Sequence, residues 1–546
     1  MCMMKSVFPL ITCVILYYSS PAQTSNEILG RPADSSITIS ILFDQQKDVY
    51  WEYGTLSGIY PLITDTLIAA KDIALKVDFT GLSADTKYYY RTRYRRSGSG
   101  TSFLAGPERT FHTQRSQGST FSFTIESDEH LYDKKGVRSL YQVCLDNQAK
   151  DHPDFMFSLG DIFGDDHKPL EITSAEMDAL HKDYRPFLGS ICHSVSLFIC
   201  LGNHEGEKNY YLAQNPPENI AVYATKWRKF YYANPYPDNF YTGNTEYEPY
   251  GIGNPENYYA WTWGDALFVV LDVYRDQCDT SAKPKNWNWT LGFPQYTWLK
   301  NTLETSNAKY KFVFAHHTRG EGRGGITTAR YFEWGGYESD GTTWGFSTHR
   351  PGWEKPIHQL FKDNGVNIFF QGHDHLFAHE VLDGVTYQEV PMPSDSTYEI
   401  GMLANAGAYT SDTLDGSGHL RVTVSPSCAK VDYIRAWLPA DTLGGLHHNR
   451  EVAFTYTIGT CSSQEVNDQE KNPGIYIYPN PAKDKISIGI PEGIKPVHVS
   501  LTNMMGQTLL QSQSNNIDVS GIPSGIYFMT IHTDCFETNK KVILLR

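Results

Sequence analysis

Six short apolar runs, "FSFTIES", "DFMFSLGD", "VSLFICLGN", "ALFVVLDV", "KFVFAHH" and "VNIFFQGHDH", constrain this chain more than any other feature, because five of them run directly into Asp, Asn or His. Several are separated by helix-length segments, at 134–150, 172–188 and 354–364. Buried strands alternating with helices predict an α/β domain with packed sheets. A carboxylate, amide or imidazole at the tip of a buried strand is costly unless something there uses it. The stretch "LGNHEGEKNY", which sets Asn203, His204 and Glu205 side by side behind a glycine, poses that question most sharply. Repeated from strand to strand, such endings indicate a site built at the carboxyl ends of the strands.

At 546 residues the chain is too long for one hydrophobic core, and its pattern changes along its length. Residues 1–22 read as an export signal: Met4-Lys5 leads, "VFPLITCVILYY" is the apolar stretch, and Ser20-Pro21-Ala22 is the cleavage site. No later segment approaches the length of a spanning helix. Residues 27–115 alternate with period two and predict a small antiparallel sandwich. Within it "LSADTKYYYR" resembles the fibronectin type III pattern, with Tyr88 as the corner tyrosine that bonds back to the main chain, although Ala84 stands where that family usually has proline. The expected role of this sandwich is that of a spacer. The α/β pattern occupies 119–460, and 461–473 is a polar linker.

Residues 474–546 return to short strands without a catalytic cluster, predicting a small C-terminal β-sandwich. Their "YPNPAKD", "NMMGQTLL", "GIPSGIYFMTI" and "KKVILLR" resemble the C-terminal sorting domain of the type IX secretion pathway. That resemblance implies handling by the type IX secretion machinery, and a secreted or surface-attached product. The seven cysteines after the signal, Cys144, Cys192, Cys200, Cys278, Cys428, Cys461 and Cys535, are free to pair in an oxidising destination. Their spacing does not tell which do, and none has zinc-site spacing. Cys144 and Cys200, inside apolar runs, are expected to be buried thiols.

The polar strand ends, taken in order, are "SDEH" (Asp128, His130), "GDIFGDD" (Asp161), "GNHE" (Asn203, His204), "FAHH" (His316) and "GHDH" (His373, His375). This succession resembles the calcineurin-like metallophosphoesterases, whose motifs run DxH, GDxxxD, GNHE, a strand-terminal His and GHxH. The similarity covers roughly 119–437. It implies two packed mixed sheets flanked by helices, and a pair of divalent metal ions. By that resemblance Asp128, His130 and His375 hold one ion, Asn203, His316 and His373 the other, and Asp161 bridges them. His316 is preferred over His317 because it directly follows the apolar run. Oxygen and imidazole donors without thiolate suit zinc, manganese or iron, and the choice among them stays open.

The implied reaction is hydrolysis of phosphomonoesters or phosphodiesters by a metal-bridging hydroxide, with His204 stabilising the transition state or protonating the leaving oxygen. Asp128 is expected to orient His204. A formal net charge of −15 argues against a nucleic-acid scaffold as partner, whereas a dinuclear cation cluster attracts a phosphorylated small molecule or phosphodiester locally. Arg319 and Arg323, in a Gly-rich stretch just past His316, are candidates for contacting a phosphate oxygen. Asp166 is a candidate support for a ligand. The Tyr-rich insertion 209–261 is expected either to line the substrate cleft or to pack as a cover over the sheet. A sandwich ahead of such a domain looks like the purple acid phosphatases, but Gly164 occupies their tyrosine position and His130 is present where they lack it. No tyrosinate-to-iron colour is therefore expected. The rival reading is a surface binding protein with a structural metal centre; the retention of His204 speaks against it.

Overall fold

The computed structural model describes residues 25–133, 135–164, 168–278, 285–318, 323–400, 406–461, 476–489, 496–503, 507–533 and 537–545. The chain divides into two compact units, Met1–Ser462 and Ser463–Arg546.

Two mixed sheets form the centre of the first unit. In one, Phe121–Glu126, Phe155–Ser158 and Ser196–Ile199 run parallel, and Gly418–Val424, Cys428–Arg435 and Val452–Gly459 extend it antiparallel. In the other, Ala266–Val270, Tyr310–Phe314, Ile368–Gln371 and Val385–Glu389 run parallel. Their facing residues are largely aromatic. Phe157 stacks on Phe314 with ring centroids 4.0 Å apart, and Phe198 on Trp261 at 4.1 Å, so flat rings from opposite sheets fill the interlayer.

Helices Arg138–Ala149, Ser174–Cys192 and Ile220–Tyr231 cover the outer face of the first sheet, and Phe293–Thr305 and Ile357–Asp363 that of the second. The longest starts at a capping box: Thr173 Oγ1 accepts from the Glu176 N–H while Glu176 Oε2 accepts from the Thr173 N–H, satisfying two otherwise orphaned amides. Two helices lie within the helix-length segments seen in the sequence, and the third overruns its segment by four residues, to Cys192. Among the described residues no helix is long and apolar enough to cross a membrane. The signal segment 1–22 lies outside the described residues.

The N-terminal sandwich is present, but one of its sheets is not its own. Ser25–Gly30, Ser36–Phe43 and Leu75–Thr80 continue the first central sheet, with Gly30 paired in parallel to Leu197. The second layer, built on Lys47–Gly54 and Lys87–Arg96, closes over Ile37, Ile39, Trp51, Phe79 and Tyr90. Tyr88 accepts at its hydroxyl from the Ser83 N–H at 2.9 Å, so the corner tyrosine expected from sequence is in place.

A buried cation fastens the sandwich to the domain that follows. Arg185, fully buried, donates to Asn26 Oδ1 (2.6 Å), the Asn26 carbonyl (3.3 Å), Ser40 Oγ (3.2 Å), the Ser40 carbonyl (3.0 Å) and the Tyr231 carbonyl (2.7 Å). These acceptors belong to three separate elements. Arg185→Met is expected to remove all five bonds, leaving Asn26 Oδ1 without this donor while Ser40 Oγ and the Tyr231 carbonyl keep their mutual bond (2.7 Å), and to lower unfolding stability by about 3 kcal/mol, read as a shifted urea midpoint at unchanged slope.

Cys428 and Cys461 form a disulfide that ties the start of one strand to the residue two past the edge strand Val452–Gly459. Cys144, Cys192 and Cys200 are buried thiols and Cys278 is an exposed one; Cys535 lies outside the described residues.

The second unit is a small sandwich, with sheets of three and four strands closing over Ile486, Ile488, Leu501, Met529, Ile531 and Val542. Most of the expected linker, from 462 onward, lies outside the described residues.

Candidate metal centre

Because the central strands run parallel within each sheet, the segments that follow them leave the sheets at one end, and their polar residues meet there. His130 Nε2 and His375 Nε2 lie 3.1 Å apart, with Asp128 Oδ1 3.4 Å from the second and 3.8 Å from the first. Beside them His316 Nε2 stands 3.1 Å from Asn203 Oδ1, 3.2 Å from His373 Nδ1 and 3.4 Å from Asp161 Oδ2. The two sets share their carboxylates: Asp161 Oδ2 is 3.7 Å from His130 Nε2, and Asp128 Oδ1 is 3.8 Å from His316 Nε2. All seven residues singled out as metal donors are thus brought together.

The atoms facing inward suit cations better than one another. His316 Nδ1 lies 2.8 Å from the Leu159 carbonyl and must be its donor, so Nε2 is left facing an amide oxygen, a carboxylate and another imidazole nitrogen. Either a proton or a cation has to sit on it. Burial opposes a proton there, but Asp161 and Asp128 outweigh burial and push the His316 pKa up to about 9. Burial likewise works against ionised Asp161, yet His316 and His204 hold its carboxyl well below the ordinary carboxylate range. Asp128 Oδ2 accepts from Ser127 Oγ (2.5 Å) and the His373 N–H (2.7 Å), while its buried Oδ1 has no hydrogen-bond partner among the described residues. A buried carboxylate oxygen in that position fits a coordinated divalent ion.

The local backbone is bent to make this possible. Asp128 (φ 63°), His130 (46°), Asp161 (58°), His373 (78°) and His375 (59°) all adopt left-handed conformations, which cluster at functional sites. Two glycines give them room. A Cβ on Gly202 would lie 2.3 Å from Asp161 Oδ1, and one on Gly164 would lie 1.7 Å from the His204 carbonyl oxygen. The absence of tyrosine at 164 is therefore built into the packing.

Around the donors stand residues that position them. His130 Nδ1 lies 2.8 Å from the Tyr132 hydroxyl and 3.4 Å from Asp133 Oδ2. His317 stacks on His373 at 4.1 Å, which agrees with His316 rather than His317 as the donor. Arg323 donates to the His373 carbonyl (2.5 Å) and Asp374 (3.1 Å), bracing the loop that carries two donor histidines. Arg319, Asp165 and Asp166 lie outside the described residues. His204, 20% exposed, is the open-side residue: its main-chain N–H donates to Asp161 Oδ1 at 2.8 Å and its Nε2 lies 3.9 Å from Asp161 Oδ2.

Glu205, for which the sequence indicates no role, has one in the structure. Its carboxylate accepts from the N–H groups of Asp161 (3.1 Å), Ile162 (2.7 Å) and Gly202 (2.5 Å), tying two donor-bearing loops together from behind. Burial and the nearby Asp161 push its pKa up to about 7. The available signal was an acid directly after a strand-end Asn-His pair. Glu205→Ala is expected to orphan three buried amides, costing about 3 kcal/mol or more in denaturant unfolding and lowering metal content measured by mass spectrometry.

Residues 121–377 match the calcineurin-like phosphoesterase family, and residues 476–545 match the secretion system C-terminal sorting domain. The sorting domain marks the chain for the cell exterior, secreted or held at the surface. No curated protein matches the chain. Among solved structures, one described as the structure of PhoD is similar with a TM-score of 0.55 at 18% identity, covering 80% of this chain and 90% of that one. The purple acid phosphatase PPD1 from yellow lupin (Lupinus luteus) is similar with a TM-score of 0.50 at 13% identity, covering 80% and 74%. At such identities the likeness is one of fold.

Proposed function

With a calcineurin-like phosphoesterase domain at its centre and a secretion sorting domain as its tail, we propose that this protein is an exported hydrolase of phosphate esters, mono- or diesters, working at two divalent cations. The observation that carries this reading is the convergence of two carboxylates, four imidazoles and one amide on a common space, with no hydrogen-bond partner for Asp128 Oδ1 among the described residues. Asp128, His130 and His375 would hold one cation, Asn203, His316 and His373 the second, and Asp161 would be shared. Zinc, manganese and iron suit this donor set, in which no thiolate takes part; Cys200, although at the end of a neighbouring strand, turns its Sγ to the Leu271 carbonyl. Bound there, the cations would acidify a water for in-line attack on phosphorus and clamp phosphoryl oxygens.

The remaining roles fall to the chain itself. Asp161, anchored by the His204 N–H and braced by Glu205 through its own amide, stays fixed between the two donor sets. His204 faces the open side and donates a proton to the leaving oxygen, or a hydrogen bond to phosphate as charge builds in the transition state. Asp161 Oδ2 lies 3.9 Å from His204 Nε2, and Asp128, to which we assign the orienting of His204, also directs Oδ1 toward His375, His130 and His316.

The test is hydrolysis of p-nitrophenyl phosphate and bis(p-nitrophenyl) phosphate by protein reconstituted with zinc, manganese or iron. Turnover of at least one substrate is expected. Activity on neither, with two cations bound per chain, supports instead the surface binding protein with a structural metal centre.

A further inference from the structure

The Tyr-rich insertion 209–261 does something the metal centre does not use. Tyr210 and Tyr211 pack with the Ile220–Tyr231 helix as a cover, but Phe240 and Tyr258 leave the cover and line a groove of about 1090 Å³ elsewhere on the first unit. The groove reaches Asn307 and Ala308, ahead of the strand Tyr310–Phe314, whose other end carries His316. It therefore opens at the opposite end of the sheet from the metal centre.

Its chemistry is uniform. The exposed ring of Phe293 and the half-buried rings of Phe240 and Trp298, with buried Tyr258 packed against Trp298, stand among the hydroxyls and amides of neighbours such as Thr242 and Asn301. Phe293 is 55% exposed, and Trp298 lies 5.0 Å from the Tyr258 ring with its Nε1 donating to Thr242 Oγ1 at 3.2 Å. One residue in five of this chain is charged, yet among the described residues lining the groove Arg115 is the single charged one. Its guanidinium is already held by Asp154 through two bonds of 2.8 Å. A phosphate or carboxylate ligand finds no uncommitted cation among these lining residues.

Strand addition by an extended peptide is also disfavoured, because the sheet edge beside the groove is covered. Gln114 Nε2 donates to the Thr262 carbonyl (2.9 Å), the Gly264 N–H donates to the Arg115 carbonyl (3.0 Å), and Thr242–Gly243 pairs with Tyr259 and Ala260. What remains is a cleft of rigid flat faces and neutral donors and acceptors. Sugar rings present complementary surfaces: apolar C–H faces for the aromatic side chains and a rim of hydroxyls for the amides and threonines.

We propose that this groove binds an uncharged glycan, separately from the metal centre. The test is affinity electrophoresis of the full chain in native gels containing galactomannan, soluble starch, laminarin or dextran, with alginate as the polyanionic comparison. Retardation by at least one neutral polymer is expected. Phe293→Ala and Trp298→Ala should each weaken it at least tenfold, and Asp161→Asn should leave it unchanged. Phe293 is exposed enough that its variant keeps the fold, which phosphate-ester turnover at the wild-type rate would document. Retardation by none of the four neutral polymers, retardation equal in wild type and both groove variants, or equal retardation by alginate overturns the proposal.

Discussion

Asp161→Asn is expected to abolish measurable turnover, a loss of about 10⁴-fold or more, and to reduce the metal content of the purified protein. The argument rests on charge as much as position. Asp161 Oδ2 stands 3.4 Å from His316 Nε2 and 3.7 Å from His130 Nε2, so it addresses both donor sets at once. Two cations bring four positive charges to a site with two carboxylates, and asparagine removes one of them while keeping the shape. Metal content by mass spectrometry and turnover of bis(p-nitrophenyl) phosphate give the two readouts. A variant that keeps both cations and near wild-type rate would show that the carboxylate does not join the sets.

His204→Ala is expected to behave differently, slowing turnover by about 10² to 10⁴ with both cations retained. The anchor that His204 provides to Asp161 is its main-chain N–H, at 2.8 Å, and alanine keeps it. What alanine removes is a ring on the open side, 5.4 Å from the His130 ring and 5.7 Å from that of Tyr132. Loss of metal equal to that in Asp161→Asn would overturn the role assigned to this histidine.

The donor set was legible because its members stand at or just past the ends of apolar runs, and parallel strands gather their ends without needing knowledge of sheet order. Sheet continuity was not legible. The N-terminal sandwich joins the central sheet through Gly30 and Leu197, far apart in sequence, and period-two alternation is the same whether a strand lies at a free edge or beside another domain's strand. Arg185 was invisible for a similar reason: a basic residue in a helix usually faces solvent, and only the fold places carbonyls from three elements around it. Glu205 stood in plain view, but its partners are main-chain amides, which leave no trace in residue identity. The cysteine pair behaved as spacing arguments require, with Cys428 and Cys461 joined across a strand pairing that had to be seen.

The left-handed twist of Asp128, His130, Asp161, His373 and His375 narrows the alphabet available to this centre. Aspartate, asparagine and histidine are among the few non-glycine residues that tolerate such dihedrals, and they are also good oxygen and nitrogen donors. Chain geometry and coordination chemistry thus select the same letters. An engineer seeking a softer, sulfur-rich pocket would meet resistance first from the torsion angles, before the choice of ion came into play.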